Sequence, residues 1–81
     1  MRLDKYLKVS RIVKRRTVAN EICDAKHAEV NGKTARASYE VKVGDVIALT
    51  FGGNVKKYEV LEVTEYATKE SAGKMYKELT E

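Results

Sequence analysis

The sequence predicts a small α+β domain, with two N-terminal helices packed on a small antiparallel sheet and a C-terminal helix after it. Apolar residues first recur at helical spacing, then alternate with a period of two from about residue 28, and finally return to helical spacing. Glycine-containing turns divide the middle of the chain into short strands. The 81 residues make one domain at most, and a chain of this size buries only roughly 60% of its unfolded surface.

Two short helices are predicted at the N-terminus. Leu3, Tyr6 and Leu7 have helical spacing and predict a helix over residues 3–9, with Asp4 in its first turn where a carboxylate complements the helix dipole. Thr17 predicts the N-cap of a second helix that continues to about Lys26. The apolar face of this second helix comprises Val18, Ala19, Ile22 and Cys23.

The middle of the chain predicts antiparallel strands. Asn31-Gly32 favours a type I′ hairpin turn, because both central residues of that turn need a positive φ. Residues 46–51 predict a largely buried strand that begins after the Gly44-Asp45 turn. A further turn at Gly52-Gly53 leads to residues 55–63, a strand with Tyr58, Val60 and Val63 facing inward.

The last segment predicts a third helix. Thr68 is its expected N-cap, and the apolar residues Ala72, Met75, Tyr76 and Leu79 follow helical spacing. Gly73 inside this helix costs about 1 kcal/mol relative to alanine, so the helix needs a surface to dock on. We therefore divide the chain into a folded domain, residues 1–66, and a helical tail, residues 67–81.

Positive charge is concentrated in the first 36 residues. That segment has ten Lys and Arg against four Asp and Glu, a net charge of +6, whereas the other 45 residues carry −2. Segregated positive charge is typical of a surface that binds a polyanion such as nucleic acid.

The basic corner before the second helix is the sharpest functional signal. Lys14, Arg15 and Arg16 precede a helix N-terminus, whose unpaired N–H groups and positive dipole end favour phosphate. Arginine can also grip phosphate with two hydrogen bonds or stack on a base. The predicted RNA-binding residues are Arg2, Lys5, Lys8, Arg11, Lys14, Arg15, Arg16, Thr17, Lys33 and Arg36.

Other chemistry is not indicated. Cys23 and His27 lie four residues apart and could supply two ligands, whereas a zinc site needs four. We therefore expect no metal and no cofactor. No nucleophile elbow or phosphate-binding loop is present, and we expect no catalytic residues and no enzyme. A lone cysteine and the lack of a signal-like or membrane-spanning apolar run predict a cytoplasmic protein that does not contact a membrane.

These motifs resemble the αL RNA-binding domain of the ribosomal protein S-four type. The resemblance rests on residues 1–7, on Ser10-Arg11 and Lys14-Arg15-Arg16-Thr17, on the Asn31-Gly32 hairpin and on the turn at residues 43–46. The resemblance covers residues 1 to about 50 and implies the αL RNA-binding fold, and we expect this domain to span residues 1–66. Lys26 departs from the pattern, since relatives usually carry the glycine that ends the second helix there. Lysine must accept the left-handed conformation at a cost or end the helix differently.

Within that family the chain is most similar to short stand-alone bacterial members that act in ribosome quality control. The resemblance implies binding to rRNA and tRNA on large ribosomal subunits obstructed by peptidyl-tRNA. It implies support of alanine tailing by a nascent-chain tailing factor of the RqcH type, and a monomer off the ribosome. Arg2 and Arg16 match the positions expected to contact rRNA. The alternatives are a heat-shock-type ribosome-recycling factor and an rRNA-binding protein of ribosome assembly.

Overall fold

The computed structural model describes residues 1–79, in which the helices pack against one sheet. In chain order the elements are α1 (Leu3–Val9), α2 (Arg16–Asp24), β1 (Ala28–Val30), β2 (Lys33–Thr34), β3 (Val46–Phe51), β4 (Asn54–Val60), α3 (Lys69–Ala72) and β5 (Tyr76–Leu79). The strands form one antiparallel sheet in the order β2-β1-β3-β4-β5. The predicted α+β class, with two N-terminal helices on a small antiparallel sheet, is confirmed.

The core lies between the two N-terminal helices and the sheet. Leu3, Tyr6 and Leu7 of α1 are fully buried, as are Ile47 and Leu49 of β3. The helical spacing of the α1 residues and the alternation of the β3 residues explain this, because each pattern places its apolar side chains on one face. The other face of β3 is half-buried at Val46, Ala48 and Thr50, and Phe51 at its end is exposed, which agrees with the predicted largely buried strand.

Tyr6 connects the two ends of the fold. Its hydroxyl donates a hydrogen bond of 2.8 Å to the carbonyl oxygen of Met75. Burial raises the pKa of Tyr6 above its usual value, so the hydroxyl keeps its proton and remains a donor. The side chain therefore belongs to the core and holds residue 75 against α1.

The second helix begins and ends differently from the prediction. It begins at Arg16, with Arg15 in the extended N-cap position, and no side chain caps it. The N-cap assigned to Thr17 is therefore wrong: Thr17 lies inside the first turn, because Arg16 is drawn into the helix and bonds to Asp4. The predicted apolar face is confirmed at Ala19 and Cys23, whereas Val18 is 40% exposed.

The β1–β2 hairpin turns at Asn31 and Gly32, with φ of 54° and 83°. These positive values confirm the predicted type of turn. The Asn31 side chain also donates to the Asp45 carboxylate at 3.1 Å and accepts from the Val46 amide at 3.0 Å. The hairpin is thereby joined to the turn that leads into β3.

The C-terminal helix is much shorter than predicted. Thr68 caps it, since its hydroxyl accepts from the Ser71 amide at 3.2 Å, but the helix ends at Ala72. Tyr76–Leu79 form β5 instead and pair with β4, so the prediction of a helix through residue 79 is wrong. The edge of β4 offers unpaired backbone groups, and satisfying them outweighs a weak helical preference interrupted by Gly73. The domain boundary at residues 66 and 67 stays a prediction.

Within residues 1–79, none of the three helices has the length and apolar content needed to traverse a bilayer.

Candidate RNA-binding face

A buried carboxylate lies at the centre of the basic surface. Asp4 is 1% exposed. Its Oδ1 accepts hydrogen bonds from Arg2 Nε at 3.3 Å and from the Lys5 amide at 2.8 Å. Its Oδ2 accepts from Arg16 Nε and from Asn20 Nδ2, both at 3.3 Å. Each oxygen has two donors, so the carboxylate is saturated and joins α1 to α2.

The two arginines of this cluster point their outer ends to solvent. The side chains of Arg2 and Arg16 are 51% and 48% exposed. Each uses only its Nε–H for Asp4, and neither makes another side-chain hydrogen bond within residues 1–79. The terminal amino groups can therefore bind the two oxygens of a phosphate, the geometry for which a guanidinium is suited. We call the surface formed by Arg2, Asp4, Arg16, Thr17 and Asn20 the Asp4 face; these residues line one open depression.

The backbone also fixes the position of Arg2. Arg2 forms an isolated antiparallel bridge with Glu40. The next two amides, of Leu3 and Asp4, donate to the carbonyl oxygens of Tyr39 and Ala37 at 2.8 and 3.2 Å. These bonds satisfy N–H groups that the first turn of a helix leaves unpaired. Arg2 is thus held at both its main chain and its Nε.

The charge state of Asp4 follows from these contacts. Burial raises the pKa of Asp4. The hydrogen bonds from Arg16 and from the Lys5 amide, together with the charges of Arg16 and Arg2, lower this pKa by more than burial raises it. The net pKa lies below the ordinary value of 3.8, so the carboxylate is ionised at neutral pH. The ionised Asp4 carboxylate therefore binds two arginines, and the Asp4 face keeps a net positive charge.

A groove extends this face toward the sheet. Arg2 and Asn20 form its near end, and Lys26 and Arg36 also line it; its other residues are Cys23, Asp24, Thr34, Ala35, Ala37 and Ser38. We call it the 34–38 groove. Burial raises the pKa of the Cys23 thiol to about 11, with Asp4 and Asp24 contributing, so the thiol stays protonated and unreactive. Three cationic side chains, those of Arg2, Lys26 and Arg36, thus line the groove.

Lys26 ends α2 in a conformation that lysine rarely adopts. Its φ is 62°, and its amide donates to the Cys23 carbonyl at 3.0 Å. The amide of His27 donates to the Ile22 carbonyl at 2.9 Å, which completes a Schellman motif. Of the two possibilities that the sequence left open, the lysine accepts the left-handed conformation.

A second group of cations lies apart from the Asp4 face. Lys8 and Arg11 line a depression with Val9, Glu65, Tyr66, Ala67, Thr68 and Ser71, which we call the Tyr66 depression. Lys5 belongs to the same side, since its Nζ lies 3.6 Å from Glu65 Oε1. Arg11 therefore lines a different depression from Arg2 and Arg16.

The remaining predicted RNA-binding residues lie at other exposed positions. Lys14 and Arg15 are exposed on the turn before α2, next to Arg16. Lys33 is exposed in the β1–β2 hairpin, beside a shallow depression that also contains Asn31 and Tyr39. The structure thus brings Arg2, Arg16, Thr17 and Arg36 together and separates them from Lys5, Lys8 and Arg11; the RNA contacts of all these residues stay predictions.

Four residues of these surfaces were not among the predicted ones. Asp4 looked like an ordinary first-turn acid, and Asn20 carried no signal in the sequence. The sequence marks Lys26 only as a replacement for glycine at a helix end. Tyr66 stands in a segment without periodicity, where an aromatic residue has no core to join. Within residues 1–79, no three His, Cys, Asp or Glu side chains are grouped as a metal site needs.

Comparison with known protein families identifies the family of this chain. Residues 1–47 match the family model of the S4 domain. The whole chain is 48% identical to the RQC P-site tRNA stabilizing factor of Streptococcus pneumoniae and covers 92% of that protein. It is 46% identical to the factor of the same name from Bacillus subtilis, again over the whole chain and 94% of the relative. These matches confirm the family that the sequence motifs indicated.

A solved structure has the same fold. Heat shock protein 15 of Vibrio cholerae, described as trimeric, superposes with a TM-score of 0.87 and 28% identity. The match covers 98% of this chain and 81% of that protein. The arrangement of helices and sheet described above is therefore that of an experimentally determined relative.

Proposed function

The chain belongs to the S4 domain family, and we propose that it is a non-catalytic RNA-binding factor of ribosome-associated quality control. It binds rRNA and tRNA on large ribosomal subunits that still carry peptidyl-tRNA. The relatives that span nearly the same length are named for stabilising P-site tRNA, which supports this assignment.

The observation that carries the proposal is the Asp4 face. Two arginines held by one buried carboxylate present four terminal amino groups at a fixed separation, and such a preorganised pair loses little side-chain entropy when it meets a phosphate. Arg36 and Lys26 continue the positive charge along the 34–38 groove. A rigid positive surface of this kind suits a folded RNA, whose backbone has a definite shape.

The finer parts of the proposal concern partners. On the obstructed subunit the protein supports alanine tailing of the nascent chain by a factor of the RqcH type. It works in the cytoplasm and is a monomer off the ribosome. The trimer of the heat-shock relative is the competing state, and sedimentation of the purified protein at rising concentration distinguishes the two.

Co-sedimentation from cells tests the function. The tagged protein is expected to sediment with large subunits that contain peptidyl-tRNA. Arg2→Gln and Arg16→Gln should each weaken this association, because glutamine can still donate to Asp4 but carries no charge for phosphate. Lys56→Gln on β4 is the matched control, since it removes one exposed cation away from the Asp4 face. An equal loss of association with large subunits in all three variants would refute the assigned surface.

Two alternatives give different results in this co-sedimentation and in an assay of alanine tails after deletion of the gene. A heat-shock-type recycling factor has the support of the Vibrio cholerae fold, and a ribosome-assembly factor would use the same positive surface. Association with immature precursors that lack tRNA would favour assembly. Association with peptidyl-tRNA-bearing subunits, without the tailing factor and with no change in alanine tails when the gene is deleted, would favour recycling.

A further inference from the structure

The Tyr66 depression contains an aromatic side chain that the fold does not use. Tyr66 is 88% exposed, whereas the other large apolar side chains at the surface are 39–65% exposed. Its ring takes part in neither the core nor a ring pair within residues 1–79. An aromatic side chain contributes to folding by burying its area, so the stability of this domain gives no reason for a tyrosine here.

Arg11, across the same depression, has an unfavourable backbone conformation. Its φ is 64°, in the left-handed region, directly after the end of α1. That conformation is unfavourable for an ordinary residue, whereas glycine would adopt it without penalty. Strained positions cluster where a particular side chain is needed for binding. The side chain of Arg11 lines the depression beside Lys8, an exposed lysine in the last turn of α1.

The acidic group of the depression is already paired. Glu65 Oε1 lies 3.6 Å from Lys5 Nζ, so the charges of these two side chains compensate each other. Lys8 and Arg11 therefore make the local electrostatic potential positive. The Thr64 hydroxyl donates to the Tyr66 carbonyl oxygen at 3.2 Å. The second contact holds the main chain at Tyr66, and the ring itself stays exposed.

We propose that the Tyr66 depression binds one unpaired RNA nucleotide, with its base stacked on the Tyr66 ring and its flanking phosphates held by Lys8 and Arg11. The inference rests on the proposed RNA-binding function and adds a second contact, separate from the Asp4 face. A nucleotide presents a flat base next to an anion, which matches an exposed ring flanked by two cations. An acidic protein segment would satisfy the cations but leave the ring in water.

The test uses the full chain and a short single-stranded oligouridylate at low salt. Tyr66→Leu should weaken oligouridylate binding by about 5- to 50-fold, because it removes the stacking surface but keeps an apolar side chain. Tyr66→Phe, the matched control, should bind like the wild type. Both should melt at the wild-type temperature, because the ring is exposed. Ultraviolet cross-linking followed by mass spectrometry should place uridine on the peptide that contains Tyr66.

Three results would overturn the inference. One is wild-type binding of oligouridylate by Tyr66→Leu, and another is cross-links confined to the Asp4 face. The third is Tyr66-dependent binding of a polyglutamate peptide with no Tyr66-dependent binding of oligouridylate, which would assign the depression to an acidic protein. The proposed function is judged separately by Arg16→Gln and the large subunit, so either claim can fail while the other stands.

Discussion

Among single residues, Asp4 sets the geometry of the basic surface although its own charge is negative. Its two oxygens hold Arg2, which precedes α1, together with Arg16 and Asn20 of α2. Burying a carboxylate is unfavourable unless it is fully paired, and here it is. In the proposed binding mode, Asp4 orders two flexible arginines before the RNA arrives.

Asp4→Asn separates positioning from simple charge. The substitution makes the protein more positive, so electrostatics alone predicts tighter binding to large subunits. Asparagine keeps one acceptor oxygen but presents an N–H donor in place of the other, so at least one arginine is released. We expect binding to weaken by about tenfold and the free energy of unfolding to fall by about 1–3 kcal/mol. Filter binding and thermal unfolding measure the two effects.

The control for Asp4→Asn is Glu62→Gln, which makes the same charge change at an exposed carboxylate. It should leave binding equal or slightly tighter. Tighter binding by Asp4→Asn as well would contradict the positioning role.

The pH dependence of stability follows from the same residue. Because the pKa of Asp4 is lower in the folded chain than its ordinary 3.8, its ionisation stabilises the fold above that value. The contribution is lost as the pH falls through the folded pKa. The difference in melting temperature between the wild type and Asp4→Asn should therefore be largest near neutral pH and shrink below about pH 4. A difference that grows on acidification would argue against an ionised Asp4.

Among elements, the end of α2 combines strain with charge. Lys26 has a φ of 62° and lines the 34–38 groove with Arg2 and Arg36. Glycine fits the Schellman motif without strain, so the lysine is present at a cost to stability. The cost is consistent with a use for its side chain at the RNA surface.

Lys26→Gly should therefore raise stability and lower RNA affinity together. The left-handed strain is relieved, partly offset by the greater freedom of glycine in the unfolded chain, for a net gain of about 0.5–1 kcal/mol. Calorimetry measures the gain in stability, and filter binding measures the loss of RNA affinity that follows from the removal of one cation. Ala25→Gly is the control, because Ala25 has a φ of −79° and should be destabilised by glycine. A lower melting temperature for Lys26→Gly would mean that the lysine is not strained.

The elements also show how far the sequence could predict this fold. Local signals located α1, the Asn31-Gly32 turn and β3, because each depends on spacing or turn chemistry within a few residues. β5 could not be found in this way, because it forms only when the edge of β4 is available as a partner. The positive charge of the Asp4 face was visible in the sequence, but the burial of Asp4 depends on α2 packing across it.

For the whole molecule, the arrangement of charge is divided rather than continuous. Arg2, Arg16 and Arg36 lie along the Asp4 face and the 34–38 groove, whereas Lys8 and Arg11 lie beside Tyr66. Two separate RNA contacts, as we propose them, would let a protein of this size hold two RNA segments at once. This suits a factor that acts where rRNA and tRNA meet.

The central claim is that Arg2 and Arg16 bind RNA phosphates, and the salt dependence of binding measures this most directly. The slope of log affinity against log salt for large subunits carrying peptidyl-tRNA should be about 1.4–1.8 shallower for the Arg2→Gln/Arg16→Gln double variant, because each lost phosphate contact removes about 0.7–0.9. The control Lys56→Gln/Lys77→Gln, which removes two exposed cations from β4 and β5, should keep the wild-type slope. A wild-type slope for the arginine variant, or an equal change in the lysine control, would contradict the account.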